Sequence, residues 1–256
     1  MELRSVDIEL APGRVSGLFL APPDPRALYV LAHGAGAGMR HPFLERVAQG
    51  LAGRGIATLR YQFPYMEAQK RRPDPPAVAA ATVRAAARRA RELEPGLPLI
   101  AGGKSFGGRM TSMAQATEPL PGVTGLAFLG FPLHPPGRPG IERAAHLERV
   151  AIPMLFLQGT RDEFAKLELM RQVTSTLAAA ALHLVEGGDH SFHVLKRQGR
   201  TDEQAMEEVL DAMAGWIVRG VSNVSALVSR RMPNHWVLKT EPTSYSYDDL
   251  ERDGHA

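Results

Sequence analysis

Apolar and polar residues alternate through Val6-Asp7-Ile8-Glu9-Leu10, and Val15 to Leu20 is mostly apolar. Pro12-Gly13 lies between them, which predicts a hairpin. Ala27 to Ala32 is an unbroken apolar run ending at His33-Gly34, the pattern of a buried strand. Phe43, Leu44, Val47, Ala48 and Leu51 recur at helical spacing, and Gly53 and Gly55 end that helix. Ile56 to Leu59 predicts the next strand. A loop follows at Pro73, Pro75 and Pro76, then an alanine-rich helix over 77–93. The face of that helix carrying Arg84, Arg88 and Arg91 is expected to be solvated. Further strands are predicted at Leu97 to Ala101, Val123 to Leu129, Ile152 to Leu157 and Leu182 to Val185. Helices are predicted after Ser105, over 164–177 and over 202–218. Asp202 caps the last, and Met206, Val209, Leu210, Met213 and Ile217 form its apolar stripe.

Strands alternating with helices, most of them continuous apolar runs, imply a mainly parallel sheet covered on both faces. Ligands of such α/β folds bind at the carboxyl ends of the strands, so residues just after strands carry the functional information. The 256 residues are ample for one such core. With no cysteine, disulfides, thiolate metal sites and a cysteine nucleophile are excluded. The 30 basic and 27 acidic residues leave a charge of +3, too weak a field to indicate nucleic-acid binding. Twenty-five of the basic residues are arginine, a composition bias that fits a GC-rich genome. The N-terminal residues lack the apolar core of a secretory signal, and no apolar run approaches a membrane span. The expectation is a cytoplasmic protein without a membrane or nucleic-acid partner.

Gly103-Lys104-Ser105-Phe106-Gly107 fits G-x-S-x-G between a strand and a helix, the setting of a nucleophile elbow. The alternative is a glycine-rich turn with an incidental serine. Two phosphate-binding patterns fail: a P-loop needs glycine where Pro98 stands, and a dinucleotide fingerprint needs glycine where Met39 stands. A serine hydroxyl needs a base, and the base an orienting carboxylate. Asp162 follows one predicted strand and His190 the next, in the chain order Ser, Asp, His. Asp162 is alternatively a helix N-cap with Glu163 as the acid. Asp189 is a less favourable acid because it adjoins His190. His190 and His193 form a possible metal pair without a third ligand; no cofactor is expected. The loop His33-Gly34-Ala35-Gly36-Ala37-Gly38 follows the first buried strand, where an oxyanion loop belongs. Its donor is the Ala35 or Gly36 amide, paired with the amide of Phe106.

These stretches resemble the dienelactone-hydrolase-like α/β-hydrolases, whose vertebrate relatives include a testis-expressed protein and a subunit of the nonspecific-lethal complex. The resemblance rests on Leu31 to Ala37, Arg60-Tyr61-Gln62-Phe63-Pro64-Tyr65-Met66, Gly102 to Arg109, Gln158 to Asp162 and Gly188 to Phe192. It implies an α/β-hydrolase fold over residues 1–220 with Ser105, Asp162 and His190 as triad and Gly34, Ala35, Gly36 and Phe106 around the oxyanion. Dienelactone hydrolases proper use cysteine, so the chain departs from them at the nucleophile. The proline-rich stretch between Leu129 and Ile152 is too short for a substantial lid, which favours small or accessible esters as substrate. The alternative function is a non-catalytic interaction module on the same fold. Residues 221–231 read as a linker. From Met232, Pro233-Asn234-His235-Trp236-Val237-Leu238 resembles the opening of an EVE domain, a fold implicated in recognising modified nucleic-acid bases. Residues 232–256 are too few for that fold, and are expected to be a truncated fragment.

Overall fold

A computed structural model describes residues 1–231, with side chains through residue 220. One compact unit spans Met1–Val221. Its eight strands are β1 (Glu2–Glu9), β2 (Arg14–Ala21), β3 (Ala27–Ala32), β4 (Ile56–Tyr61), β5 (Leu99–Lys104), β6 (Val123–Leu129), β7 (Met154–Gly159) and β8 (Ala180–Val185). They form one sheet in the order β1-β2-β4-β3-β5-β6-β7-β8. The β1–β2 hairpin pairs antiparallel, β2 meets β4 antiparallel, and every pair from β4 to β8 is parallel.

The helices are α1 (Pro42–Ala52), α2 (Pro64–Glu67), α3 (Pro76–Leu93), α4 (Phe106–Thr117), α5 (Leu167–Thr176) and α6 (Asp202–Arg231). The side-chain period of two sends alternate residues of each strand to opposite cores. On β3, Leu28, Val30 and Ala32 join the core under α3 and α4, while Ala27, Tyr29 and Leu31 join the core under α1 and α6. Because α1 leaves β3 toward one face and α4 leaves β5 toward the other, a crevice opens between the carboxyl ends of these neighbouring strands. The glycine loop and Ser105 both border it.

Several sequence expectations shift. Strands β5 and β7 begin and end two or more residues later than their apolar runs, because Gly102, Gly103, Gln158 and Gly159 continue the ladder. Helix α5 begins at Leu167 rather than residue 164. The apolar pattern gave no warning of α2 or of the 3-10 turns Glu142–Arg149 and Lys196–Gln198. Residues 130–153 between β6 and β7 contain only the first of those turns, with no folded lid. Residues 221–231, expected as linker, continue helix α6. The EVE-like residues 232–256 lie outside the described residues.

The arginine face of α3 is a clearer correction. Arg84 Nη2 donates to the carbonyls of Ala114 at 2.6 Å and Glu118 at 2.7 Å, closing the C-terminus of α4. Arg91 donates to the carbonyls of Pro95, Leu97 and Gly122, at 2.8–2.9 Å. Cations complement the negative end of a helix and supply donors for its orphan carbonyls. Only Arg88 of the three is exposed. Replacing Arg84 with Met removes the guanidinium donor from both carbonyls, leaving Ala114 O only the Glu118 amide, and is expected to cost about 1–3 kcal/mol. The measurement is the urea midpoint; an unchanged midpoint would show that these bonds contribute nothing.

Candidate active site

Strand β5 ends at Lys104 and α4 begins at Phe106, so Ser105 alone makes the turn. Its backbone sits at φ 50°, ψ −116°, a conformation that non-glycine residues adopt only where the surroundings enforce it. Ser105 N donates to Leu129 O at 3.2 Å, and Arg109 N to Ser105 O at 3.0 Å. Close packing explains the glycine two residues on: a Cβ at Gly107 would lie 2.5 Å from the His33 carbonyl oxygen. The turn is therefore pressed against the start of the glycine loop.

The loops carrying Asp162 and His190 meet at the ends of β7 and β8. His190 Nδ1 lies 2.7 Å from Asp162 Oδ2. The Asp162 side chain is fully buried, so its oxygens need protein partners. Oδ1 accepts from the Phe164 amide at 2.8 Å, and Oδ2 also accepts from Gln158 Nε2. Gln158 is itself fixed, because its Oε1 accepts from the Phe131 amide at 2.9 Å. The Phe164 ring lies 4.4 Å from the His190 ring, centroid to centroid. The alternatives open in the sequence separate here. Glu163 is exposed, and Asp162 does not cap α5, which begins five residues later. Asp189 Oδ1 accepts from the amides of Ser191 and His193, folding its own loop. His193 pairs with Asp202 at 2.6 Å, so the two histidines serve different carboxylates.

Gly130 joins these parts. A Cβ there would lie 2.9 Å from the His190 carbonyl oxygen, 3.3 Å from His190 Nδ1 and 2.9 Å from Lys104 Nζ. Lys104 Nζ donates to that His190 carbonyl at 2.6 Å. Thus the residue before Ser105 holds the loop carrying His190, across a gap that only glycine leaves open. Burial pushes the Lys104 ammonium down to about 8, with Asp162 and Asp189 partly opposing. No hydrogen bond joins Ser105 Oγ to His190 among the described residues.

The glycine loop is braced by the Arg60–Met66 stretch. His33 is fully buried; its Nε2 accepts from the Phe63 amide at 3.1 Å. The proton must therefore sit on Nδ1, which donates to Gly34 O at 2.7 Å. Gln62 Oε1 accepts from the Met39 amide, and Tyr65 Oη from the Gly36 amide at 2.9 Å. Gly36 N–H is thereby occupied. The amides of Ala35 and Phe106 have no partner among the described residues. Gly34 supplies proximity: a Cβ on it would lie 3.9 Å from Ser105 Cβ. Sequence reading missed Lys104, Gly130, Gln158 and Tyr65. Lys104 and Gln158 stand inside the quoted motifs as polar residues at buried strand ends, which was their available signal.

An α/β-hydrolase domain family matches residues 25–218. The chain belongs to the α/β-hydrolase family. Among solved structures, this α/β-hydrolase resembles a dienelactone hydrolase from Anabaena variabilis at 18% identity and TM-score 0.68, covering 85% of this chain and 97% of that one. Est1E from Butyrivibrio proteoclasticus aligns at 16% identity and TM-score 0.66, covering 85% and 99%. A serine hydrolase without lid from Xanthomonas campestris aligns at 21% and 0.63, covering 87% and 94%. At these identities the likeness establishes the fold. Among the described residues of the hydrolase, no helix is long and apolar enough to cross a membrane.

His33 gives a pH prediction. Burial pushes its imidazole down to about 4, with the Gly34 carbonyl and Asp74 partly opposing. As pH falls from about 6.5, the unfolded chain takes up a proton that the folded α/β-hydrolase refuses, so stability is lost. The loss from this group approaches about 3 kcal/mol by pH 4. The His33 ring resonances are expected to stay constant down to pH 5 in NMR; titration near 6.5 would refute the buried neutral ring.

Proposed function

We propose that Ser105, His190 and Asp162 form the catalytic triad of a serine hydrolase acting on small or accessible carboxylic or thio esters. The observation that carries this reading is the 2.7 Å bond between His190 Nδ1 and the buried Asp162 carboxylate, with the His190 loop tied by Lys104 to the strand–helix turn on which Ser105 sits at φ 50°. The carboxylate keeps the proton on Nδ1 and leaves Nε2 as the base. Ser105 Oγ attacks the ester carbonyl as Nε2 takes its proton. The oxyanion is met by the amides of Ala35 and Phe106 rather than Gly36. The imidazolium then protonates the departing alkoxide or thiolate, and water repeats the sequence on the acyl-serine.

The short lidless connection over 130–153 supports a small or exposed substrate. Ferulic acid has been seen bound to Est1E, and that protein is similar in fold. The motif runs support a place among the dienelactone-hydrolase-like members related to the testis-expressed protein and the nonspecific-lethal complex subunit. A fluorophosphonate probe tests the chemistry. It is expected to label wild type and not Ser105→Ala, whose turnover falls by about 10⁴-fold or more. Absence of labelling in folded wild type would favour the non-catalytic interaction module.

Asp162→Asn is expected to lose about 10⁴-fold in turnover. Glu163→Gln is expected to match wild type; the reverse pattern would reassign the acid. Lys104→Met removes the donor that holds the His190 loop. Its expected cost is about 10–100-fold in kcat/KM, from a lost charged hydrogen bond. An unchanged kcat/KM would show that this bond does not hold the His190 loop in place.

A further inference from the structure

Arg109 and Arg143 stand out among the arginines of the described residues. Both are half-buried, and neither has a carboxylate or carbonyl partner there. Arg109 Nε is buried without any hydrogen bond. Composition bias does not explain this, because the other half-buried arginines are paired. Arg54 binds Glu207 and Asp211, Arg84 the carbonyls of α4, and Arg200 Glu208. Burial lowers the Arg109 pKa, and the charge of Arg143 lowers it further. His146 lies beside them, held down to about 4 by burial and by the charges of Arg109 and Arg149. A half-buried cation with a second cation beside it is costly unless an anion completes the pair.

Their position is informative. Arg109 lies one turn after Ser105 on α4, and helical side chains lean toward the N-terminus. Arg143 is in the first turn of Glu142–Arg149, which packs along α4. His146 Nε2 bonds Ser112 Oγ of α4 at 2.7 Å, and its ring lies 6.5 Å from that of Phe131. Phe131 follows Gly130, which abuts His190. Arg109 is thus one helical turn from Ser105, and His146, three residues after Arg143, adjoins Phe131 next to Gly130.

We propose that Arg109 and Arg143 form an anion subsite, and that the ester this enzyme processes carries a carboxylate or phosphate that docks there. The proposal builds on the hydrolase reading above. A planar guanidinium pair suits either oxyacid by bidentate donation.

The test uses the full chain and matched ester pairs. These are 4-nitrophenyl hydrogen succinate against its methyl ester, acetoxyacetate against its methyl ester, and 2-acetoxyethyl phosphate against its dimethyl ester. In wild type at least one anionic member is expected to exceed its neutral partner about tenfold or more in kcat/KM, chiefly through KM. The pair that shows it separates carboxylate from phosphate and acyl side from alcohol side. Arg109→Gln and Arg143→Gln are expected to erase that ratio, and salt to diminish it. Calorimetric titration with inorganic phosphate and with succinate, on wild type and Arg143→Gln, reads the subsite without turnover and stands even where Arg109→Gln does not fold. Equal rates within every pair, with no anion binding by a wild type that the fluorophosphonate labels, would overturn the subsite alone. Anion binding lost in Arg143→Gln, in a wild type that no probe labels, would keep the subsite and remove the hydrolase reading.

Discussion

The Asp162 carboxylate has no contact with water, and the surrounding loops are organised by that fact. A buried carboxylate is tolerated only when its lone pairs are occupied. Here the donors come from three places: the Phe164 amide just beyond it, Gln158 at the end of β7, and His190 from the loop after β8. Gln158 passes the constraint to the chain after β6 through the Phe131 amide. One desolvated charge therefore fixes three strand ends relative to one another. Lys104 closes the circuit by tying the end of β5 to the His190 carbonyl.

The glycine loop is held by a different logic. It has few side chains of its own, so the Arg60–Met66 stretch supplies the partners. A neutral histidine bridges two backbone segments, Gln62 takes the Met39 amide, and Tyr65 takes the Gly36 amide. The result is a loop whose flexibility is removed from outside while its Ala35 amide remains free.

The sheet was largely legible because its strands are apolar runs with punctuation, and the hairpin because Pro12-Gly13 marks its turn. Asp162 and His190 could be singled out because each follows a strand, in the chain order read after a nucleophile-elbow motif, and the structure brings them within 2.7 Å of each other. What escaped were contacts between residues far apart in the chain: Gln158 to Phe131, Lys104 to His190, His33 to Phe63. A buried strand end marks Lys104 as a lysine that needs a partner, but nothing local names a carbonyl 86 residues away as that partner. The arginines of α3 misled for the same reason. Their spacing gives a helical face, but only packing decides that the face meets the C-terminus of α4. That the Gly36 amide is occupied likewise depends on Tyr65, which lies 29 residues away in the chain.

The connection between β6 and β7 carries its obligations at one end. Gly130 and Phe131 are clamped by the Leu157 carbonyl and by Gln158. Residues 135–139, by contrast, are exposed. The structure therefore separates a clamped end from a free one along a single stretch of chain. An insertion at 135–139 would lengthen this connection while the clamp at Gly130 and Phe131 kept its register. The fold thus offers a place where selectivity can diversify without renegotiating the hydrogen bonds that orient His190.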